Sequence, residues 1–222
     1  MYLPDDTLTG YNANLQGTSL LDFWKWAFSD LCDDDLKGIF AEWVVLKLLG
    51  IPSARRVSWA NSDILTAEGM TIEIKASSYW QSWKLLDGTG ALRPTPLHPI
   101  SSDSQIRFSG LKARDADDTS NSRDPRLFKS DIYIFAFQHE KDIEQWNAMN
   151  LSQWEFYALP VSTVSALGCG SISLSALRTE QKKFCGQEIL TADSFTVVAR
   201  ALIEAAAKPD TALTLPQTAQ NS

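Results

Sequence analysis

Asp63 stands ten residues before Glu73-Ile74-Lys75, in the run Asp63-Ile-Leu-Thr-Ala-Glu-Gly-Met-Thr-Ile-Glu73-Ile-Lys75-Ala-Ser-Ser. Ile72 and Ile74 alternate with Glu73 and Lys75, so a strand here turns the isoleucines one way and the charges the other. Ala67-Glu68-Gly69 reads as a three-residue hairpin loop with Gly69 in the left-handed region. That loop pairs Ile64 with Ile72 and Asp63 with Glu73, leaving two carboxylates on one face with Cβ atoms ~4.5–5.5 Å apart. A two-residue Glu68-Gly69 turn would instead set Asp63 opposite Ile74, on the wrong face. Carboxylates so placed repel each other, and a divalent cation reached by both at ~2.1–2.4 Å relieves the repulsion. The backbone carbonyl of Ile74 is a further oxygen ligand within reach. Lys75, one pleat beyond, can hold or deprotonate a metal-bound water. The competing reading is an ordinary amphipathic hairpin whose three charges face solvent.

An acid-x-Lys triplet alone carries little, because Asp35-Leu36-Lys37 and Glu180-Gln181-Lys182 have the same form. Those two sit at a helix start and in a polar stretch, and read as solvated faces. Glu42 adds weight to the hairpin. It borders the apolar stripe of the preceding helix, beside Val45, Leu46 and Leu49, a poor place for a carboxylate without a partner. Lys75 is one candidate partner. Phosphodiester hydrolysis needs a Lewis acid, an activated water and charge to stabilise a pentacovalent centre. Two or three carboxylates and one lysine supply that set without histidine. With only His98 and His139, a His-rich metal centre or an HExxH protease is excluded. Neither histidine has a GxSxG elbow to serve. A metal here is held mainly by carboxylate oxygen, which suits Mg²⁺, Mn²⁺ or Ca²⁺.

A helix carrying Glu42, then a strand, then Asp63 ten residues before Glu73-x-Lys75 on the next strand resembles the PD-(D/E)xK superfamily, the restriction-endonuclease-like nucleases. The matching stretch is Leu36–Ser77, and the apolar run at 131–137 can supply the next core strand. The proline of the family name is missing, since Ser62 precedes Asp63. The resemblance implies an α/β fold with a central mixed β-sheet flanked by helices and an αβββαβ core. It also implies a Mg²⁺- or Mn²⁺-dependent endonuclease acting on DNA. In that frame Asp63 and Glu73 are metal ligands, Lys75 acts on the attacking water, and Glu42 supports the site. Cutters of both strands often dimerise, so a homodimer is expected. The alternative is a nuclease-like fold without catalysis, serving as a binding or assembly module.

The elements that must position these residues follow from periodicity and breakers. Apolar residues at helical spacing predict a helix over 18–31. Asp33 is an N-cap for a second helix that ends at Gly50-Ile51-Pro52. Strand-like runs cover 55–59, 63–66 and 70–77, and later 131–137 and 154–159. Residues 86–130 are rich in Gly, Pro, Ser, Asp and Arg, with one strand at 105–108, and form a loop-rich insertion. Pro160 opens a helix ending at Gly168, Ser171–Leu177 reads as a short helical turn, and a last helix spans 192–207. The single domain is thus 18–207, between a loose arm at 1–17 and a tail at 208–222. For substrate contact the candidates are Ser77, Gln81, Arg107, Lys112, Arg114 and Arg126. Ser77–Trp83 reads either as substrate contacts or as a helix packing Trp80 and Trp83 inward.

Composition frames the rest. The 222 residues carry 27 acidic and 20 basic side chains, a net charge of −7, with 44% apolar residues. That is enough for a sizeable core and excludes a disordered chain. Cys32, Cys169 and Cys185 lie outside any CxxC spacing, so no disulfide frame or zinc knuckle is expected. No stretch approaches the ~18 apolar residues of a membrane helix, and the start resembles no signal peptide, so a cytoplasmic location is expected. The acidity argues against a tight, non-specific DNA coater. Any grip on DNA is local, metal-assisted and salt-sensitive.

Overall fold

Asp33 opens the helix that anchors the core. Its carboxylate accepts the backbone N–H groups of Asp35 (3.0 Å) and Leu36 (3.2 Å), and the helix runs Asp34–Leu48 until Gly50, at φ 61°, turns the chain out. It is α2; the preceding α1 spans Leu20–Phe28. The computed structural model describes residues 3–9, 17–52, 56–57, 60–113 and 126–208.

The central sheet holds β1 (Ile64–Leu65), β2 (Thr71–Ser78), β4 (Ile132–Gln138) and β5 (Trp154–Pro160), in the order β1-β2-β4-β5. β1 and β5 are antiparallel to their neighbours, whereas β2 and β4 run parallel, with Glu73 beside Tyr133 and Lys75 beside Phe135. The sheet is therefore mixed. On one face Ile72, Ile74, Ile134, Phe156 and Ala158 pack with α2 and with α6 (Ala192–Ala206). On the other, Phe135, Phe137, Tyr157 and Leu159 pack under a ribbon of β3 (Arg107–Ser109) and β6 (Ser171–Ser173). Val164 of α4 (Val161–Ala166) and Leu174 and Leu177 of α5 (Leu174–Cys185) complete that layer. Burial on both faces explains why β4 is apolar throughout. The molecule is α/β, a mixed sheet flanked by helices.

Three segments differ from the sequence expectation. Ser171–Leu177 is not one helical turn: Ser171-Ile172-Ser173 pairs with β3, and Ser173 then caps α5 through the Ala176 N–H at 3.3 Å. A strand of three residues is too short to show alternation. The link between the parallel strands β2 and β4 holds, among the described residues, only α3 (Ser82–Leu85) and β3, so a long crossover helix is not seen there. Within 55–59, Arg56 and Val57 are not in a strand; the other three positions lie outside the described residues, as do most of the 1–17 arm and 209–222. Among the described residues no helix is long and apolar enough to cross a membrane.

Candidate functional site

The hairpin takes the three-residue loop. Thr66 N–H donates to the Met70 carbonyl at 2.9 Å and Gly69 sits at φ 84°. β1 and β2 pair Ile64 with Ile72 and Leu65 with Thr71, and the Asp63 N–H reaches the Ile72 carbonyl at 3.1 Å. Asp63 lies just past the paired residues; an unbroken ladder would set it opposite Glu73, but its N–H turns instead to the Ile72 carbonyl. Its Oδ2 accepts the Ile74 N–H at 2.7 Å. Since both backbone groups of a strand residue face one edge, the Ile74 carbonyl points along the same edge. Glu73 and Lys75 share the sheet face of Tyr133 and Phe135, and Lys75 Nζ meets Glu73 Oε1 at 2.6 Å.

Glu42 does have a partner, and it is Arg56 rather than Lys75. The guanidinium grips both carboxylate oxygens, Nε to Oε2 at 2.5 Å and Nη2 to Oε1 at 2.8 Å. Bidentate geometry of this kind is the strong form of the ion pair. Lys75 is committed to its neighbour Glu73, which the two-residue strand period makes the nearer acid.

Among the described residues, Asp63 is the acid here with no base bonded to it. Burial, with the Glu73 and Glu42 carboxylates nearby, pushes its carboxyl up to about 7, against the opposing pull of the Ile74 N–H and Lys75. A half-buried carboxylate short of charge compensation is a place for a cation or a proton. Among the described residues no set of three or more acidic, His or Cys side chains is arranged to hold a metal. The available set is two carboxylates and one carbonyl, all hard oxygen donors. That fits Mg²⁺ or Mn²⁺, since Mg²⁺ binds through one or two carboxylates and completes its shell with water and phosphate oxygen.

The segment bearing Arg107 and Lys112 passes over this point. Gly110, at φ 71°, lies so close that a Cβ there would be 3.5 Å from Lys75 Nζ. Arg107, exposed, donates to Ser171 Oγ at 2.7 Å; Lys112 donates to the Gly168 carbonyl at 2.9 Å. Arg126 is exposed and Arg114 lies outside the described residues. Ser77 is buried on the face of Glu73 and Lys75. Gln81 is buried and its amide oxygen accepts from Lys37 Nζ at 3.2 Å. Lys37, only 1% exposed and bonded to Asp34 at 2.9 Å, ties the start of α2 to the end of β2. The Asp35-Leu36-Lys37 triplet gave no sign of that, because the partner is 44 residues away. Trp80 is buried, whereas Trp83 is exposed under Lys84.

A second polar cluster occupies the far end of the same face. Arg178 of α5 holds Glu155 at 2.8 and 2.9 Å and Tyr157 Oη at 3.1 Å, and also bonds Asp103. Tyr157 donates to Glu155 and Tyr79 to Asp103. Burial and the adjoining carboxylates push both phenols far above the usual range. Burial works against the charge of Asp103, but the donations from Tyr79 and Arg178 hold its carboxyl below the usual range. No sequence spacing marks these five residues as a unit.

Comparison with protein-family models, with characterised proteins and with solved structures gives no match to this chain.

Proposed function

We propose that the chain is a metal-dependent endonuclease that hydrolyses phosphodiester bonds in DNA, on a restriction-endonuclease-like αβββαβ core. The observation that carries the reading is the Asp63 carboxylate, held on the Ile74 N–H and close enough to feel the Glu73 carboxylate, beside the Glu73–Lys75 pair on β2. In this reading Asp63, Glu73 and the Ile74 carbonyl hold Mg²⁺ or Mn²⁺. When bound, the ion supplies Lewis acidity at the phosphoryl oxygen. Lys75 places an ammonium beside the attacking water and the negative charge that develops on phosphorus. Glu42, fixed by Arg56, holds the end of the site nearest α2. Arg107 and Lys112, on the segment above Lys75, contact backbone phosphates, which position the duplex without reading its sequence. A homodimer would present one such site to each strand.

The test is cleavage of supercoiled plasmid, single-stranded DNA and RNA with Mg²⁺ or Mn²⁺. Wild type cuts DNA, and Glu73→Ala and Lys75→Ala each lose about 10²–10³-fold or more, with unchanged thermal melts. Equal behaviour of wild type and both variants on every substrate rejects the reading. A chain that binds plasmid and leaves it intact under both metals is the non-catalytic module instead.

A further inference from the structure

Helix α1, Leu-Leu-Asp-Phe-Trp-Lys-Trp-Ala-Phe, buries none of its residues. Trp26 is 83% exposed, Phe23 48% and Phe28 47%, and Leu21 and Trp24 are also exposed. The strap before it, tied to α1 by the N–H groups of Leu20 and Leu21 on the Asp6 and Pro4 carbonyls, adds exposed Leu3 and Leu8. The neighbouring rings of Phe23, Trp26 and Phe28 together present roughly 350 Å² of apolar surface, taking ~200 Å² per aromatic ring. Solitary exposed apolar residues need no explanation, but a contiguous patch of this size does. A cavity of about 490 Å³ opens in it between strap and helix, lined by Leu8, Leu20, Phe23, Trp26 and the acids Asp6 and Asp22.

Charge selects the occupant. The first 37 residues hold seven acids (Asp5, Asp6, Asp22, Asp30, Asp33, Asp34, Asp35) against Lys25 and Lys37, a net −5, and Asp6 and Asp22 line the cavity itself. A second copy would bring a like-charged surface to the same face. An anionic bilayer would be repelled, since a helix lying on it needs lysine and arginine flanking its apolar face. DNA is excluded for the same reason. A cationic amphipathic helix satisfies both halves of the surface, its apolar stripe on Phe23, Trp26 and Leu8 and its basic residues on the acidic rim. We infer that α1 and its strap form a docking surface for a basic amphipathic helical segment of a partner protein, separate from the Asp63–Lys75 site.

The probe is a fluorescein-labelled Leu/Lys amphipathic peptide of about four helical turns, with a Leu/Glu peptide of the same pattern as control. Full-length wild type binds the Leu/Lys peptide and not the Leu/Glu one. Phe23→Ala/Trp26→Ala weakens binding at least about tenfold, and Asp5→Asn/Asp6→Asn weakens it and flattens its salt dependence. Should the aromatic double variant melt early, Trp26→Ala alone decides, because that side chain is almost wholly in solvent. Equal affinity in the aromatic variants overturns the inference. So does self-association by sedimentation that these variants abolish, which makes a second copy the occupant. Vesicle flotation abolished by the same variants makes it a lipid surface and equally overturns the inference.

Discussion

Two polar clusters share one face of the sheet and end in opposite conditions. At the Tyr79–Tyr157 end, Arg178 is divided between two carboxylates and a phenol, and each phenol donates to an acid. At the hairpin end, Lys75 is taken by Glu73, Arg56 by Glu42, and Asp63 keeps one backbone N–H and a carboxyl raised to about 7. The first is complete and holds the 100–105 loop and α5 onto the sheet. Each has one acid more than it has bases, but in the second Asp63 has a single backbone donor and, among the described residues, no base bonded to it. A satisfied network explains itself as structure, whereas an incomplete one calls for a ligand.

The largest expected effect separates the clusters by activity. Lys75→Ala and Glu73→Ala abolish plasmid cleavage, whereas Tyr79→Phe, which removes one hydroxyl from the complete cluster, keeps cleavage near wild type. Cleavage lost equally in all three merges the two clusters into one site.

Next comes pH. The Asp63 carboxyl has a folded value of about 7 against an ordinary 3.8. Between these values the folded chain keeps a proton that the unfolded chain releases, so this group's contribution to stability falls as pH rises and stays low above about 7. Asp63→Asn retains an oxygen for the Ile74 N–H and removes the charge. Without divalent metal the variant is expected to be more stable than wild type at pH 8, by up to about 4 kcal/mol, and to match it near pH 4. Urea melts at both pH values measure this; an identical difference at the two refutes it.

Arg178→Ala strips the complete cluster of its cation and leaves Glu155, 12% exposed at its side chain, uncompensated. A loss of about 3 kcal/mol is expected, the lower end for a broken buried pair. Denaturant midpoints check it, and a loss as small as that of an exposed surface pair shows the network to be ornamental.

The smallest effect is metal linkage. Mn²⁺ at about 100 times its Kd raises wild-type stability by about 2.7 kcal/mol. The gain disappears with EDTA or in Asp63→Asn and persists in Arg178→Ala. Equal melts with EDTA and Mn²⁺ remove the metal from the site.

Much of the hairpin was legible in the chain. Gly69 in the left-handed region and the Ile72/Ile74 alternation leave one register that buries both isoleucines, and the Ile64–Ile72 pairing follows from it; carried on, it would set Asp63 opposite Glu73, but the Asp63 N–H turns to the Ile72 carbonyl. The cap of α2 at Asp33 and its stop at Gly50 were legible for similar reasons, since both act within a turn. Glu42's need for a partner was readable from its place on the stripe, but not which base would come. The burial of Lys37 and the assembly around Arg178 were illegible, joining residues 44 and 75 positions apart. β6 was missed because three residues carry no period.

The sequence by itself determined what is local: the turn, the alternation, the caps and hence the face shared by Glu73 and Lys75. Tertiary structure decided which charges neutralise one another, because ion pairing depends on distances that only the packed layers set. It put Arg56 on Glu42 and Arg178 among three acceptors and, among the described residues, left Asp63 with no base bonded to it and the aromatic residues of α1 exposed.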